Sequence, residues 1–187
     1  MKVSKFGGSS LADANQVKKV CDIIISDPDR RIIVVSAPGK INDSDTKMTD
    51  LLIECANLKT QGSDYKPVLE RIINKYRNIA QGFNLSDAIL GVIEQDLEAR
   101  LNDKSLSPAE FMDSMKASGE DNSAKLVTEC LKSLGVNASY LSPKAAGLIL
   151  KNENGNVSIV ESSYETLKTT LKSEGVIIFP GFFGYSS

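Results

Sequence analysis

The sequence predicts an α/β fold in which a mainly parallel β-sheet is sandwiched between helices. Short apolar segments alternate along the chain with longer segments of helical periodicity, which is the order that builds parallel sheets covered on both faces. The segment Arg31-Ile32-Ile33-Val34-Val35-Ser36 is a nearly continuous β-branched run, typical of a strand buried on both faces. A chain of 187 residues, 41% of them hydrophobic and 25% charged, is long enough to bury one substantial core.

The first two thirds of the chain hold two predicted strands and most of the helical pattern. In order, these segments are a strand at 2–6, a helix at 13–26, a strand at 31–36 and a helical block at 48–134. Asp27-Pro28-Asp29 ends the first helix. Residues 40–47 are polar and are expected to form a mobile loop. Ser86 and Ser107 are predicted N-caps inside the helical block, which is interrupted before each of them.

The last third of the chain is predicted to return to strands. Gly135 ends the helical block. Strand patterns then follow at 137–141, 147–151, 157–160 and 175–180, with one helix predicted at 163–173. Glu153-Asn154-Gly155-Asn156 is typical of a hairpin turn between two of these strands.

The composition excludes several kinds of chemistry. The chain contains no histidine, so a Ser-His-Asp site, a Cys-His site and any His-ligated metal site within it are excluded. A net charge of −2 gives no electrostatic case for nucleic acid, and no apolar run is long enough to span a membrane. Cys21, Cys55 and Cys130 each fall on an apolar helix face, so we expect buried free thiols and a cytoplasmic protein.

Four segments rich in small polar residues follow predicted strands or open a predicted helix, where ligands collect in α/β sheets. They lie at 5–10, 36–39, 118–120 and 181–184. In the first, Gly7 and Gly8 present backbone N–H groups where a helix begins, and Lys5 precedes them. This arrangement suits a phosphate group, although a tight strand-to-helix turn without a ligand also fits it. Ser118-Gly119-Glu120 is expected to open the helix that Gly135 ends.

Taken in order, these segments resemble the motifs of aspartokinases, which belong to the amino acid kinase family. The resemblance is carried by Lys5-Phe6-Gly7-Gly8-Ser9-Ser10, Val34-Val35-Ser36-Ala37, Met48-Thr49-Asp50-Leu51-Leu52, Ser118-Gly119-Glu120 and Pro180-Gly181-Phe182-Phe183-Gly184. It extends from residue 2 to residue 187. It implies an amino acid kinase-like fold and ATP-dependent phosphorylation of the side-chain carboxylate of L-aspartate, the first step of lysine, threonine and methionine biosynthesis. It also implies Mg²⁺ held mainly by the phosphates of ATP.

The resemblance implies roles for individual residues. The phosphates of ATP would be bound by Lys5, Gly7, Gly8, Ser9 and Gly181. The amino acid would be bound by Ser36, Ala37, Thr49, Glu120 and Lys144. Lys5 would offset charge on the moving γ-phosphoryl group, Thr49 would bond the reacting carboxylate, and Glu120 would hold the substrate ammonium. Plainer alternatives remain, since Ser36 can cap a turn, Thr49 can cap a helix, and Glu120 can be an ordinary acidic residue of a first helical turn.

Two departures from the family pattern bear on these implications. Where many aspartokinases carry an arginine for the substrate α-carboxylate, the nearest counterpart is Lys144, which lacks the paired hydrogen bonds of a guanidinium. A surface position is the alternative for this lysine. The sequence also ends before an Arg-Gly-Gly-Ser-Asp motif. We therefore expect residues 1–187 to be an amino-acid-binding N-terminal lobe without the nucleotide-binding lobe or regulatory domains, inactive alone and homo-oligomeric in the full-length enzyme.

Two other functions stay open beside aspartate phosphorylation. One is the activity of another family member, such as an acetylglutamate or glutamate kinase, and the long helical block at 48–134 favours aspartokinase over these. The other is non-catalytic binding of an amino acid. The missing histidine agrees with a kinase, because a carboxylate nucleophile, with a pKa of about 4, is already ionised at neutral pH. Such a reaction needs fixed cations and N–H donors around the phosphates more than it needs a base.

Overall fold

The structure is a computed structural model that describes residues 1–153, 156–172, 174–181 and 184–186. Its strands are β1 (Lys2–Phe6), β2 (Arg30–Val35), β3 (Ala138–Tyr140), β4 (Ile149–Glu153), β5 (Asn156–Ile159), β6 (Val176–Pro180) and β7 (Tyr185–Ser186). Its α-helices are α1 (Ala14–Ile25), α2 (Met48–Thr60), α3 (Lys66–Gly82), α4 (Ala88–Asn102), α5 (Pro108–Ser133) and α6 (Ser162–Thr170). A single 3-10 turn at Gly8–Leu11 precedes α1. The predicted alternation of strands and helices is confirmed.

A four-stranded sheet in the order β1-β2-β6-β3 organises the molecule, and all of its strand pairs are parallel. Phe6 is in register with Val35, and Val35 is in register with Pro180. The carboxyl ends of β1, β2 and β6 therefore lie side by side. This register brings together the segments that follow these strands, which are the segments predicted to bind ligands.

Helices cover the parallel sheet with apolar faces, as the sequence pattern predicts. In α1, the buried residues Val17, Val20, Cys21 and Ile24 form one stripe at helical spacing. Cys55 and Cys130 are also buried, and all three thiols are free, as predicted. The long helix α5 contacts β6 and β3, while α2 and α4 pack against α5. In the described residues, no helix has the length and apolar character of a membrane span.

A second, smaller sheet forms near the end of the chain. Strands β4 and β5 pair antiparallel, as the predicted hairpin requires, and β7 pairs parallel to β4. The central turn residues Asn154 and Gly155 lie outside the described residues, as do Phe182 and Phe183 of the last predicted motif. The sequence pattern did not predict β7 or a separate sheet, because a two-residue strand carries no periodicity.

The structure corrects two predicted helix starts. Ser118-Gly119-Glu120 lies in the middle of α5, which begins at Pro108 under a capping box formed by Ser107. Gly119 marks close packing and not a helix end, because a Cβ there would lie 2.9 Å from the side chains of both Ala37 and Leu52. The prediction of Ser86 as an N-cap is also wrong. Asp87 occupies the N-cap position, and its side chain makes no capping bond. Ser86 is an exposed serine that lies one residue before the N-cap.

Candidate active site

The loops that follow β1 and β2 are bonded to each other and form one wall of a cleft. The Ser36 N–H donates to the Phe6 carbonyl at 3.1 Å, which continues the parallel pairing by one residue. The Gly39 N–H then donates to the Gly8 carbonyl at 2.8 Å. A Cβ on Gly39 would lie 2.7 Å from the carbonyl carbon of Gly8, so only glycine allows this approach.

The cleft beside this wall has a volume of about 450 Å³. Its lining residues come from the segment after β1, the segment between β2 and α2, the start of α2, and the middle of α5. They are Gly8, Ser9, Ser36, Ala37, Pro38, Gly39, Lys40, Lys47, Thr49 and Glu120. Residues separated by more than 100 positions in the sequence thus share one solvent-accessible space.

Six of the ten residues predicted to bind ligands line this cleft. They are Gly8, Ser9, Ser36, Ala37, Thr49 and Glu120. Gly7 immediately precedes this wall. Gly181 is buried beside it, since its N–H donates to the Val35 carbonyl at 2.8 Å. Lys5 is exposed at the end of β1, and its charge acts on Glu120.

Lys144 lies outside the cleft. Its side chain is exposed in the turn that follows β3, and β3 is the edge strand farthest from β1. The structure therefore does not bring this lysine together with the other predicted residues.

Four further lining residues were not predicted to bind ligands: Pro38, Gly39, Lys40 and Lys47. The feature of the sequence that points to these lysines is their position, one at each end of a polar segment that connects two elements of the site. Periodicity and composition assign such a segment to a surface loop, and only the packing of its two ends against the cleft shows that its lysines face the site. Together with Lys5, these lysines give the region a local excess of positive charge.

Glu120 is a half-buried carboxyl group on the opposite wall of the cleft, on α5. Burial raises its pKa to about 7, and the nearby positive charge of Lys5 opposes that shift. A carboxylate with little water around it gains strongly when a cation is placed against it. Glu120 is therefore suited to hold an ammonium group.

A buried ionic network holds α5 at the level of Glu120. Asp121, the next residue, accepts from Arg100 of α4 at 3.1 Å and pairs with Lys125 at 2.9 Å. The Tyr140 hydroxyl at the end of β3 also donates to Asp121. On the other side of the helix backbone, the buried Tyr76 hydroxyl donates to the Gly119 carbonyl at 3.1 Å. Contacts from three different elements thus fix this turn of α5.

The donors around the cleft fit a polyanion. Backbone N–H groups at the start of a helical turn and lysine ammonium groups are the usual ligands of phosphates. Among the residues that the structure describes, no three acidic or cysteine side chains are grouped to hold a metal ion. A divalent cation in this cleft would depend on oxygens brought by a bound phosphate, since Glu120 is the one carboxylate in the lining.

Comparisons with known proteins identify a family that the chain matches. The chain matches the model of the amino acid kinase family over residues 1–187. It is 45% identical over 186 residues to Aspartokinase 3 of Bacillus subtilis, a match that covers 100% of this chain and 41% of that protein. The chain therefore spans between about one fifth and two fifths of the length of the curated relatives that it matches.

Solved structures of similar fold include two aspartate kinases. The fold resembles the crystal structure of Clostridium acetobutylicum aspartate kinase with a TM-score of 0.78 and 32% identity, covering 98% of this chain and 39% of that one. It also resembles E. coli aspartokinase III, crystallised in complex with lysine and aspartate, with a TM-score of 0.74 and 26% identity. That match covers 99% of this chain and 41% of the E. coli chain.

Proposed function

The chain belongs to the amino acid kinase family, and on that premise we propose that it forms the amino-acid-binding part of an aspartate kinase. The reaction is ATP-dependent phosphorylation of the side-chain carboxylate of L-aspartate. One observation carries the proposal: a desolvated carboxylate, Glu120, shares a single cleft with the glycine-rich segment at Gly8 and Ser9. The first feature suits an ammonium group and the second suits a phosphate, so the cleft accommodates an amino acid next to a nucleotide.

In this proposal the glycine-rich end of the cleft receives the phosphates of ATP. Backbone N–H groups of Gly7, Gly8 and Ser9 donate to phosphate oxygens, and the buried Gly181 allows close approach beside the end of β2. The Lys5 ammonium offsets the negative charge that shifts as the γ-phosphoryl group moves, and Lys5 is the proposed catalytic residue. Mg²⁺ bound by the phosphates would neutralise part of the charge on the transferred group.

The amino acid lies along the other side of the cleft. Glu120 holds the ammonium, Thr49 donates a hydrogen bond to the reacting carboxylate, and Ser36 and Ala37 line the path between carboxylate and phosphate. Lys144 stays a proposed ligand of the α-carboxylate on the family resemblance alone, because its exposed position adds no support.

The chemistry needs positioning more than it needs a base. An oxygen of the aspartate carboxylate bonds to the γ-phosphorus, and the bond from that phosphorus to the oxygen of the β-phosphate breaks, which releases ADP. The nucleophile is ionised before it reacts, so no proton has to be removed. The residues of this chain hold two anions close together and offset their repulsion.

The 45% identity to Aspartokinase 3 supports aspartate as the substrate, as does the presence of aspartate in the related E. coli structure. Glu120 also favours an amino acid with a free ammonium over an N-acetylated one, since acetylation removes the cation that this carboxylate would bind. Four further points stay predictions. They are homo-oligomer formation, a cytoplasmic location, a place in lysine and threonine biosynthesis, and the inactivity of the 187 residues alone.

The test is a substrate panel on the full-length protein. ADP release with Mg·ATP is measured with L-aspartate, L-glutamate and N-acetyl-L-glutamate, and we expect turnover with L-aspartate. Glu120→Gln should raise the KM for aspartate by about tenfold or more, the value of a charge-assisted hydrogen bond, with a smaller change in the KM for Mg·ATP. Turnover with N-acetyl-L-glutamate in place of L-aspartate would contradict the proposal. Aspartate binding without ADP release would favour a non-catalytic binder.

A further inference from the structure

We propose that Lys75 is a positioning residue that fixes the loop lining the cleft by pairing with Asp45 inside that loop. The proposal rests on the proposed function for its kinetic consequences and on geometry alone for the tether itself. The loop, called here the tethered loop, consists of residues 39–47 between β2 and α2. It contributes Gly39, Lys40 and Lys47 to the lining of the cleft.

Lys75 is unusual among the lysines because it is 8% exposed. It lies on α3, and its ammonium reaches two points of the tethered loop at once. It donates to the Asp45 carboxylate at 2.6 Å and to the Gly39 carbonyl at 3.3 Å. A buried ammonium needs such partners, because losing its water without them is costly. The position of α3 thus determines where both ends of the loop lie.

Asp45 transmits this anchor to the backbone of the loop. Its carboxylate accepts from the Ile41 N–H at 2.9 Å and from the Thr46 N–H at 2.8 Å. Burial alone would raise the pKa of Asp45, but the hydrogen bonds from Lys75 and from these two amides outweigh it and hold the pKa below its usual value. The carboxylate therefore stays charged and bonded near neutral pH.

Two additional contacts close the tethered loop. The Met48 N–H donates to the Pro38 carbonyl at 3.1 Å, which joins the residues that flank the loop. Arg71, one turn before Lys75 on α3, donates to the Thr46 hydroxyl at 3.1 Å. The Met48–Pro38 bond joins residues outside the loop, and Arg71 contacts only Thr46, whereas the Lys75–Asp45 pair also holds the Ile41 amide through the Asp45 carboxylate. We therefore assign to this pair the placement of the Lys40 and Lys47 side chains against the cleft.

A buried ion pair adds little net stability to a fold, because the desolvation of both charges offsets most of the attraction between them. Such a pair does select one geometry, since each charge has its partner in only one arrangement. Removing the Lys75 ammonium is therefore expected to lower the order of the loop and the affinity for substrate. The sheet and the other contacts of α3 should change less.

The test combines a structural readout with a kinetic one. Lys75→Met keeps the length and apolar stem of the side chain, and Asp45→Asn breaks the pair from the partly exposed loop side. The matched control is Arg77→Met, on the same helix, whose ion pairs to Glu70 and Glu94 lie away from the loop. Amide hydrogen exchange is measured on the 187-residue chain. KM and kcat are measured on the full-length protein with L-aspartate and Mg·ATP.

We expect exchange at Ile41 and Thr46 to become faster by at least about tenfold in both pair variants, with the amides of β2 and β6 unchanged. Their KM for Mg·ATP should rise about tenfold, because Lys40 and Lys47 suit a polyanion, while kcat changes by less than about threefold. Arg77→Met should move neither readout, and Lys75→Arg should recover part of the affinity. Unchanged exchange at the loop in Asp45→Asn would overturn the tether even if Lys75→Met did not fold. Faster exchange with an unchanged KM would overturn its role in positioning. Absence of aspartate turnover in the unsubstituted protein would reject the proposed function and leave the exchange result to decide the tether.

Discussion

The Gly39 N–H donates a 2.8 Å hydrogen bond to the carbonyl of Gly8, and these two glycines join the segments that leave β1 and β2. Gly8 opens the turn proposed to bind phosphate, and Gly39 begins the tethered loop. One backbone contact therefore links the nucleotide end of the cleft to the segment that carries Lys40 and Lys47. No side chain fits between them, since a Cβ on Gly39 would also lie 2.9 Å from the Ser9 nitrogen.

Gly39→Ala is therefore expected to be destabilising. The added methyl group must push backbone atoms apart, which costs about 1–3 kcal/mol in the free energy of unfolding. Gly91→Ala in α4 is the matched control, because nothing lies within 4 Å of its Cβ position. The control should stabilise the protein by about 0.5–1 kcal/mol through helix propensity. Urea denaturation measures both, and a Gly39→Ala protein as stable as the Gly91→Ala protein would contradict the packing argument.

Glu120→Gln is expected to weaken binding of the substrate ammonium and to make the fold more stable as the pH rises. The pKa of Glu120 lies near 7 in the folded chain and near 4.5 when the chain is unfolded, because burial penalises the carboxylate. Between these values the folded state binds more protons than the unfolded state, so stability falls as pH rises towards 7. Glutamine removes this loss.

We therefore expect the free energy of unfolding of Glu120→Gln to increase relative to that of the unsubstituted chain when the pH rises from 5 to 8. Urea denaturation without substrates measures this difference. The exposed Glu98 provides the control, since Glu98→Gln removes a carboxylate that stays in water. An equal difference between Glu120→Gln and the unsubstituted chain at both pH values would show that the Glu120 carboxyl is not desolvated.

Lys5→Ala is expected to affect turnover far more than binding. If Lys5 offsets charge on the moving phosphoryl group, its loss should lower kcat by about 10²–10³-fold with a modest change in KM. Lys2→Ala is the control on the same strand, since Lys2 pairs with Asp27 at 2.7 Å at the opposite end of β1. Steady-state ADP release by the full-length protein measures both variants. A near-normal kcat for Lys5→Ala would exclude its catalytic role.

Asp121→Asn is expected to loosen α5 beside the cleft. The carboxylate of Asp121 is buried and serves Arg100, Lys125 and Tyr140 together. Its loss should cost about 2–3 kcal/mol, below the usual cost of breaking a buried pair, because Asp96 still partners both cations. The exposed pair of Asp113 and Lys116 provides the control, and Asp113→Asn should change stability by less than about 0.5 kcal/mol. Thermal unfolding that ranks the two variants equally would contradict this prediction.

The sequence was a good guide wherever local pattern and sheet geometry act together. The β-branched run at 31–36 predicted β2, and the parallel pairing of β1 with β2 then required the segments after Phe6 and Val35 to meet. Placement of Gly8, Ser9, Ser36 and Ala37 in one cleft follows from that register. The apolar stripe of α1 similarly predicted the burial of Cys21, because helical spacing alone determines which residues share one face of the helix.

The sequence was a poor guide where small residues serve packing between elements. The pattern of Ser118-Gly119-Glu120 predicts a helix start, whereas Gly119 lies inside α5 and allows its close approach to Ala37 and Leu52. Local propensity does not distinguish a glycine that ends a helix from one that lets two elements touch. The sequence does not predict the Lys75–Asp45 pair for a related reason, since its members are 30 residues apart and each is an ordinary charged residue in its own segment.

The parallel α/β order and the glycine-rich segments at the ends of the strands follow from the residues alone, because hydrophobic periodicity and backbone sterics act over short distances along the chain. Only the folded chain shows that Glu120 faces those segments from the middle of a helix, that burial raises its pKa, and that Lys75 contacts the loop after β2. Desolvation and ion pairing depend on which groups become neighbours in space, and local sequence does not specify those neighbours.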